Sequence, residues 1–164
     1  MDSLILAILI AAAVGSGMMA GLFCSFSYFI MKALAQIPSA HGMGAMQAIN
    51  RVIVRPAFLA VFLGTGAACL LAVGLGWQTL GKEALTYAIA GGAVHVIGSV
   101  IVTIACNVPL NDRLAAVDPE SDEGATMWQV YLLTWTRWNH VRSVATIAST
   151  VLLILAVLHA DSHA

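Results

Sequence analysis

Long apolar stretches alternate with short polar connections along the chain. Four stretches lack Asp, Glu, Lys and Arg, and each is long enough for the roughly 17–25 residues that cross a bilayer core. Backbone groups in lipid must be satisfied within a helix or a closed barrel, and continuous apolar runs without period-two alternation exclude the barrel. The pattern therefore predicts an all-α protein, a four-helix transmembrane bundle. The predicted spans lie near residues 4–31, 57–77, 84–108 and 138–159.

A fifth uncharged stretch, residues 33–50, is too polar for a span because it contains amide, imidazole and proline side chains. We interpret it as a loop and a short interfacial helix between spans one and two. Residues 112–123 are the most polar segment, which predicts a solvated loop between spans three and four. Since the spans use most of the chain, residues 1–164 are predicted to form a single integral membrane domain.

The composition supports a membrane protein and excludes other classes. Hydrophobic residues make up 60% of the 164 positions and charged residues 9%, against about 45–50% and about 25% in soluble domains. This excludes a soluble globular enzyme, and the high hydrophobicity excludes a disordered chain. The net charge of -1 leaves no basic surface for nucleic-acid phosphates, so no nucleic-acid partner is expected. The lipid bilayer is the partner that the composition indicates.

The positive charges predict the orientation of the bundle. Four spans place both termini on one side, together with the turn between spans two and three. Of the seven Lys and Arg residues, Lys82 alone belongs to that side. The other side carries Lys32, Arg51, Arg55, Arg113, Arg137 and Arg142. The positive-inside rule makes that side cytoplasmic, so both termini are expected to be non-cytoplasmic.

The predicted spans contain no Asp or Glu. Di-iron bundles need inward-facing Glu residues and proton-coupled transporters usually keep an intramembrane carboxylate, so both functions are disfavoured. His95 lies well inside span three, and an intramembrane histidine is a candidate site by default. It is either a neutral imidazole bonded to Ser99 or a neighbouring helix, or a ligand contact. If a haem or metal is bound, His95 and His140 are the expected ligands.

The densest group of polar and aromatic residues is W-Q-V-Y-L-L-T-W-T-R-W-N-H-V-R, at positions 128–142. Helical spacing puts Trp135 and Arg142 in one stripe. An aromatic belt at the membrane interface explains the rings of this segment, but explains Asn139 and His140 poorly.

Two further polar sets lie at the ends of other spans. The motif N-V-P-L-N ends span three, with Asn107 and Asn111 on either side of Pro109, which is expected to disrupt the helix. Asn50 and Arg55 precede span two. The predicted topology puts all three sets at the same end of the bundle. They either converge on one pocket or form three independent groups of helix caps and anchors.

These motifs resemble the anthrone oxygenase-like family of small membrane proteins, many of whose bacterial members have no assigned role. The resemblance is carried by G-L-F-C-S-F-S-Y-F-I-M at 21–31, the stretch 46–58, N-V-P-L-N at 107–111 and W-T-R-W-N-H-V-R at 135–142. It implies a four-helix fold in a bacterial inner membrane. It also implies oxidation of anthrones to anthraquinones, with molecular oxygen as co-substrate and no cofactor.

The chemistry of an anthrone gives roles to these residues. An anthrone is planar, apolar and weakly acidic at the carbon opposite its carbonyl, and its anion reacts directly with oxygen. The resemblance implies His140 as the general base, with Arg142 and Asn139 stabilising the oxyanion. Trp135 and Trp138 are expected to form a flat apolar slot. The other expected substrate-binding residues are Asn107, Asn111, Asn50 and Arg55.

Two other functions stay open at this point. One is a non-catalytic small membrane protein that binds lipid or an apolar aromatic molecule. The other is a haem- or metal-dependent membrane oxidoreductase. The sequence also leaves open whether the chain forms a homo-oligomer, and whether the substrate is an anthrone, a quinol or another phenolic compound.

The predicted orientation is directly testable with reporter fusions. A periplasmic reporter fused after Ala164 should be active and a cytoplasmic reporter at the same position inactive, because the positive residues hold the opposite side in the cytoplasm. A cytoplasmic C-terminus would contradict the prediction.

Overall fold

The computed structural model describes residues 3–161, which form five helices and no strand. In chain order the helices are α1 (Ser3–Ala35), α2 (Ser39–Ile53), α3 (Pro56–Gly76), α4 (Lys82–Ala115) and α5 (Asp122–Asp161). All except α2 are long and apolar enough to cross a membrane. The predicted all-α fold of four candidate spans, with a short helix after the first, is confirmed.

The helices extend beyond the apolar stretches that predicted them. The predicted loop at 112–123 is wrong at both ends, because α4 continues to Ala115 and α5 begins at Asp122. Charged residues are excluded from lipid but not from a helix that continues into water, so a charge pattern cannot locate these helix ends. The connection between α4 and α5 is therefore only residues 116–121.

Helix α5 is the centre of the bundle and packs against α1 and α4, while α3 packs against the other faces of those two helices. The first and last described residues, Ser3 and Asp161, lie at one end of the bundle together with the turn at 77–81, and this end is called the terminal end. Its core consists largely of small side chains: Ala12, Ala13, Ala72, Ala84, Ala88 and Ala156. Small side chains let the helix backbones approach closely.

The opposite end, the loop end, carries the connections α1–α2, α2–α3 and α4–α5. Its core consists largely of aromatic and methionine side chains, among them Met31, Met43, Met46, Met127, Trp128, Tyr131 and Trp135. Methionine is flexible and fills irregular space, so this end can adapt its shape more readily than the terminal end.

Small residues spaced by four along α1 suggest a contact face of Gly17, Gly21 and Ser25. Only part of this face is in contact, because a Cβ added at Gly17 would lie 3.6 Å from Thr150 on α5, whereas one at Gly21 meets no atom within 4 Å. The closest packing of α1 is through the face of Gly15 and Ser16, where a Cβ at Gly15 would collide with the side chain of Thr65. Helix α1 has small residues on more than one face, so spacing alone could not select the buried one.

Three π-helical segments lie within the long helices: Phe26–Ile30 in α1, and Val96–Ile101 and Thr103–Asn107 in α4. Pro109 lies two residues after the end of the last segment, near the start of Val108–Ala115. Proline lacks an N–H and crowds the carbonyl four residues earlier, and the wider turn lets the helix continue past it. The disruption expected at Pro109 is thus a local widening and not a break.

The packing of α4 against α5 can be tested at a glycine. A Cβ at Gly98 would collide with the Cβ of Ala145, whereas one at Gly64 meets nothing within 4 Å. We expect Gly98→Ala to destabilise the bundle by about 1–3 kcal/mol through overpacking, and Gly64→Ala not to destabilise it. Thermal unfolding in detergent, followed by circular dichroism, measures both. Equal unfolding temperatures for the two variants would contradict this packing.

Candidate functional site

The guanidinium of Arg142 on α5 is buried inside the bundle, with the residue only 5% exposed. Its Nη1 donates a hydrogen bond to Thr103 Oγ1 at 3.1 Å, and its Nη2 donates to Asn139 Oδ1 at 2.8 Å. Among the carboxylates whose side chains the structure describes, none lies within ion-pair distance of Arg142. The positive charge is therefore held by neutral groups.

Two aromatic rings complete the surroundings of this charge. The guanidinium carbon lies 4.2 Å from the ring centroid of Phe23 and 5.2 Å from that of Trp135. Cation–π attraction stabilises a desolvated guanidinium by about 2 kcal/mol. The Nε of Arg142 is buried and has no hydrogen-bond partner. Because an unpaired charge in an apolar interior is costly, this arrangement favours an anion beside Arg142.

Asn139 fixes the position of Arg142 relative to α1. Its Nδ2 donates to the carbonyl oxygen of Phe23 at 2.8 Å and to Ser27 Oγ at 2.7 Å. Ser27 also contacts Ser143 Oγ at 3.0 Å. Ser27 lies in the π-helical segment of α1, so the widened turn places its hydroxyl against α5. The amide of Asn139 is thus used to hold two helices and one guanidinium together.

Beside this cluster, three aromatic rings of α5 form a stack. The ring centroids of Trp128 and Tyr131 lie 5.8 Å apart, and those of Tyr131 and Trp135 lie 5.6 Å apart. The Tyr131 hydroxyl donates to Asn111 Oδ1 at 2.7 Å and accepts from Asn50 Nδ2 at 3.4 Å. Asn50 belongs to α2 and Asn111 to α4, so three helices meet at this hydroxyl.

Trp135 connects the ring stack to the Arg142 cluster. Its carbonyl oxygen accepts a hydrogen bond from Asn107 Nδ2 at 3.3 Å, and its ring faces the guanidinium. Both Trp135 Nε1 and Asn107 Oδ1 are buried without a hydrogen-bond partner. Buried polar atoms without a partner are rare in folded proteins, so these two atoms together with Arg142 Nε indicate a site for a polar ligand.

The structure divides the residues expected from the sequence into two groups. One connected cluster contains Asn50, Asn107, Asn111, Trp135, Asn139 and Arg142. The other group lies outside it and consists of Arg55, Trp138 and His140. Arg55 is exposed before α3, and Trp138 is 38% exposed. His140 lines an open groove of about 390 Å³ between α1 and α5, with Lys32 and Thr136.

Four residues of the cluster were not singled out from the sequence as site residues. Tyr131 lies between Trp128 and Trp135 at helical spacing, but the aromatic belt explained it equally well. Polar residues recur at every fourth position of α4, at 95, 99, 107 and 111, and Thr103 fits this spacing. The spacing is therefore a sequence signal that indicates Thr103. Phe23 and Ser27 carry no such signal, because nothing in their local sequence indicates which helix they face.

His95 lies at the centre of the bundle and is fully buried. Its Nδ1 is 3.1 Å from Ser16 Oγ on α1, and its Nε2 has no hydrogen-bond partner. The nearby glycines Gly91 and Gly98 pack against α5, because a Cβ at Gly91 would lie 3.0 Å from Leu153 and one at Gly98 would collide with Ala145. The helices therefore pack too closely at these glycines for a haem to fit beside His95.

A metal centre is the other role that the sequence leaves open for His95 and His140. In the part of the chain that the structure describes, no group of three or more His, Cys, Asp or Glu side chains is close enough to hold a metal ion. His95 contacts Ser16 in the interior, whereas His140 opens onto the groove. The two histidines thus belong to different surroundings.

Comparison with protein families gives one match. The family model described as "Anthrone oxygenase" matches residues 46–152. The match includes the clustered residues of α2, α4 and α5 but not those of α1. Neither the curated proteins nor the solved structures give a match.

The hydrogen bonds at Tyr131 make a prediction about stability. We expect Tyr131→Phe to lower the free energy of unfolding by about 1–3 kcal/mol, because Asn111 and Asn50 lose their buried partner. Tyr28→Phe is the matched control, since Tyr28 is 66% exposed. Thermal unfolding in detergent measures both variants. A loss of similar size in the two variants would count against the buried network.

Proposed function

The chain belongs to the anthrone oxygenase family, and on that premise we propose that it is a membrane-embedded oxygenase of apolar phenolic or anthrone-like substrates. The proposed reaction converts the methylene carbon opposite the substrate carbonyl into a second carbonyl. One atom of molecular oxygen enters the product and the other leaves as water with the two methylene hydrogens. The substrate supplies the electrons, so no further reductant is needed.

The observation that carries this proposal is the unpaired charge of Arg142. Loss of a methylene proton gives an anion whose charge is shared with the carbonyl oxygen. The guanidinium can bind that oxygen through its unpartnered Nε, in surroundings where electrostatic attraction is stronger than in water. The anion also compensates the buried charge. Arg142 should therefore bind the anion more tightly than the neutral substrate, as catalysis requires.

The loop-end core supports a planar apolar substrate. Arg142 lies directly beside the aromatic stack, and flexible methionine side chains surround that stack. In the proposed complex the methionine side chains rearrange, so that a flat molecule from the bilayer lies beside Trp135 with its oxygen facing the guanidinium. The loop end buries methionines and aromatic rings, whereas the terminal end buries mainly alanines. This difference favours substrate binding at the loop end, because methionine side chains adapt their shape.

The proposed reaction needs a base and oxygen, and no cofactor is proposed. The described chain offers two histidines as the base: His140 beside the groove, and His95 in the interior. The remaining expected contacts, Arg55 and Trp138, would touch a substrate only along its path of entry, because both are exposed. Asn139 acts in this proposal by positioning Arg142.

We propose a bacterial inner membrane as the location, with the loop end in the cytoplasm. Arg142 is buried and therefore does not count as an orienting charge. The exposed positive residues still favour this orientation, since Lys82 alone lies at the terminal end. Those at the loop end are Lys32, Arg51, Arg55, Arg113 and Arg137.

The proposal predicts a specific loss of oxygen consumption. In detergent with an anthrone, Arg142→Gln should reduce the rate by at least about 100-fold, the usual effect of removing an oxyanion donor. Arg137→Gln is the matched control, because Arg137 is an exposed arginine on the same helix. An oxygen electrode measures the rate, and unfolding temperatures show that both variants are folded.

Two results would speak against the proposal. Full activity of Arg142→Gln would remove Arg142 from the mechanism. If the wild-type protein binds anthrones without consuming oxygen, the non-catalytic binding function is favoured instead.

A further inference from the structure

The hydrogen bonds around His95 determine which of its ring nitrogens carries the proton. Ser16 Oγ lies 3.1 Å from His95 Nδ1 and 3.2 Å from the carbonyl oxygen of Thr146. A hydroxyl has one hydrogen, and a carbonyl can only accept. Both contacts are satisfied only if Ser16 donates to Thr146 and His95 donates to Ser16. His95 is then the Nδ1–H tautomer, and its Nε2 carries a lone pair.

This lone pair faces the interior without a partner. His95 Nε2 and Ser99 Oγ are both buried and unpartnered, and Ser99 follows His95 by four residues on α4. Ser99 belongs to the π-helical segment Val96–Ile101, and such segments occur frequently at functional sites. A basic nitrogen and a hydroxyl are thus present on one face of α4, with no protein group to satisfy them.

The same face of α4 leads to the Arg142 cluster. His95, Ser99 and Thr103 follow one another at four-residue spacing, and Thr103 accepts the hydrogen bond from Arg142 Nη1. Each interval covers at most about 6 Å along the helix axis. One bridging water molecule spans such a distance. The two hydroxyls can therefore connect the neighbourhood of Arg142 to the lone pair of His95.

Among the side chains that the structure describes, no buried carboxylate competes with His95 as a base. The acidic residues whose side chains the structure describes are all exposed: Glu83, Asp112, Asp118, Glu120, Asp122 and Glu123. Of the histidines within residues 3–161, His41 and His140 are exposed and His159 is half-buried. His95 is the fully buried nitrogen base of the described chain.

We propose that His95 is the proton acceptor of the oxidation, reached from the substrate through Thr103 and Ser99; this inference rests on the proposed function. The methylene C–H bond of the substrate breaks, its electron pair stays on carbon, and the proton passes to His95 Nε2. The Nδ1–H of the resulting imidazolium remains bonded to Ser16. Because the proton moves within the interior, the net charge of the interior does not change.

The proton then returns during the reaction with oxygen. The substrate anion gives two electrons to molecular oxygen and forms a C–O bond, and the terminal oxygen takes the proton back from His95. Loss of water from this hydroperoxide breaks the O–O bond and the second C–H bond and gives the carbonyl. Substrate and one oxygen molecule thus become product and one water molecule, and His95 is neutral again.

The test compares anthrone with a nitro-substituted anthrone, which is more acidic at the same carbon. His95→Gln should lower the rate of oxygen consumption with anthrone by about 100-fold or more, as expected for loss of a general base. It should lower the rate with the nitro compound much less, because that substrate loses its proton more readily. A role in folding alone would lower both rates equally. His41→Gln, an exposed histidine on α2, is the control.

Ser99→Ala is a second variant that removes less volume from the core. With anthrone, Ser99→Ala should lower the rate by a smaller factor than His95→Gln does. The loss caused by Ser99→Ala should also be smaller with the nitro compound than with anthrone. ¹⁵N NMR of the wild-type imidazole gives a readout without turnover and should show the Nδ1–H tautomer. The Nε2–H tautomer would overturn the inference, because Nε2 could not then accept a proton.

The competing outcomes are distinct. If wild-type protein consumes oxygen and His95→Gln consumes it equally fast, His95 is not the acceptor, and a loss in His140→Gln would give that role to His140. An absence of oxygen consumption by the wild-type protein with both compounds overturns the proposed function and this inference with it.

Discussion

The buried positive charge of Arg142 is the constraint around which the loop end of this bundle is arranged. No carboxylate of the described chain neutralises it, and its stabilisation is divided among the ring faces of Phe23 and Trp135, the Asn139 amide and the Thr103 hydroxyl. These groups come from α1, α4 and α5, so the charge holds three helices in register. A structural role alone would be served better by an apolar side chain, since buried charges rarely increase stability. Retaining an unpaired cation is reasonable if an anion forms beside it.

The two ends of the bundle differ in their core side chains, and this difference fits substrate binding at the loop end. Alanines at the terminal end allow α1, α4 and α5 to pack closely, which gives the interior a rigid base. Methionines and aromatic rings at the loop end form a core that can rearrange around a planar molecule. Between the ends, polar residues line the inner faces of α4 and α5 from His95 and Ser149 to Asn107 and Asn139. The π-helical segments of α4 lie along this polar interior, where they adjust which side chains face it.

The sequence predicted the fold because a charge inside lipid is so costly that gaps between charges locate the spans. It predicted the cluster only in part. The motif at 135–142 predicted one site for all its aromatic and polar residues. Because a helix turns by about 100° per residue, neighbouring residues of the motif face different directions. Trp135, Asn139 and Arg142 therefore share the inner face, while Trp138 and His140 lie outside the cluster. Phe23 and the π-helical segments depend on how separate helices pack, and local sequence carries little information about that.

The central claim is that Arg142 selects the anion of a planar apolar molecule. A hydroxyanthraquinone tests this directly, because its anion absorbs at longer wavelength than its neutral form. At a pH where the free dye is neutral, wild-type protein in detergent should bind it with the absorption spectrum of the anion, and Arg142→Gln should not produce that spectrum. Binding of the neutral form alone by the wild-type protein would contradict the account.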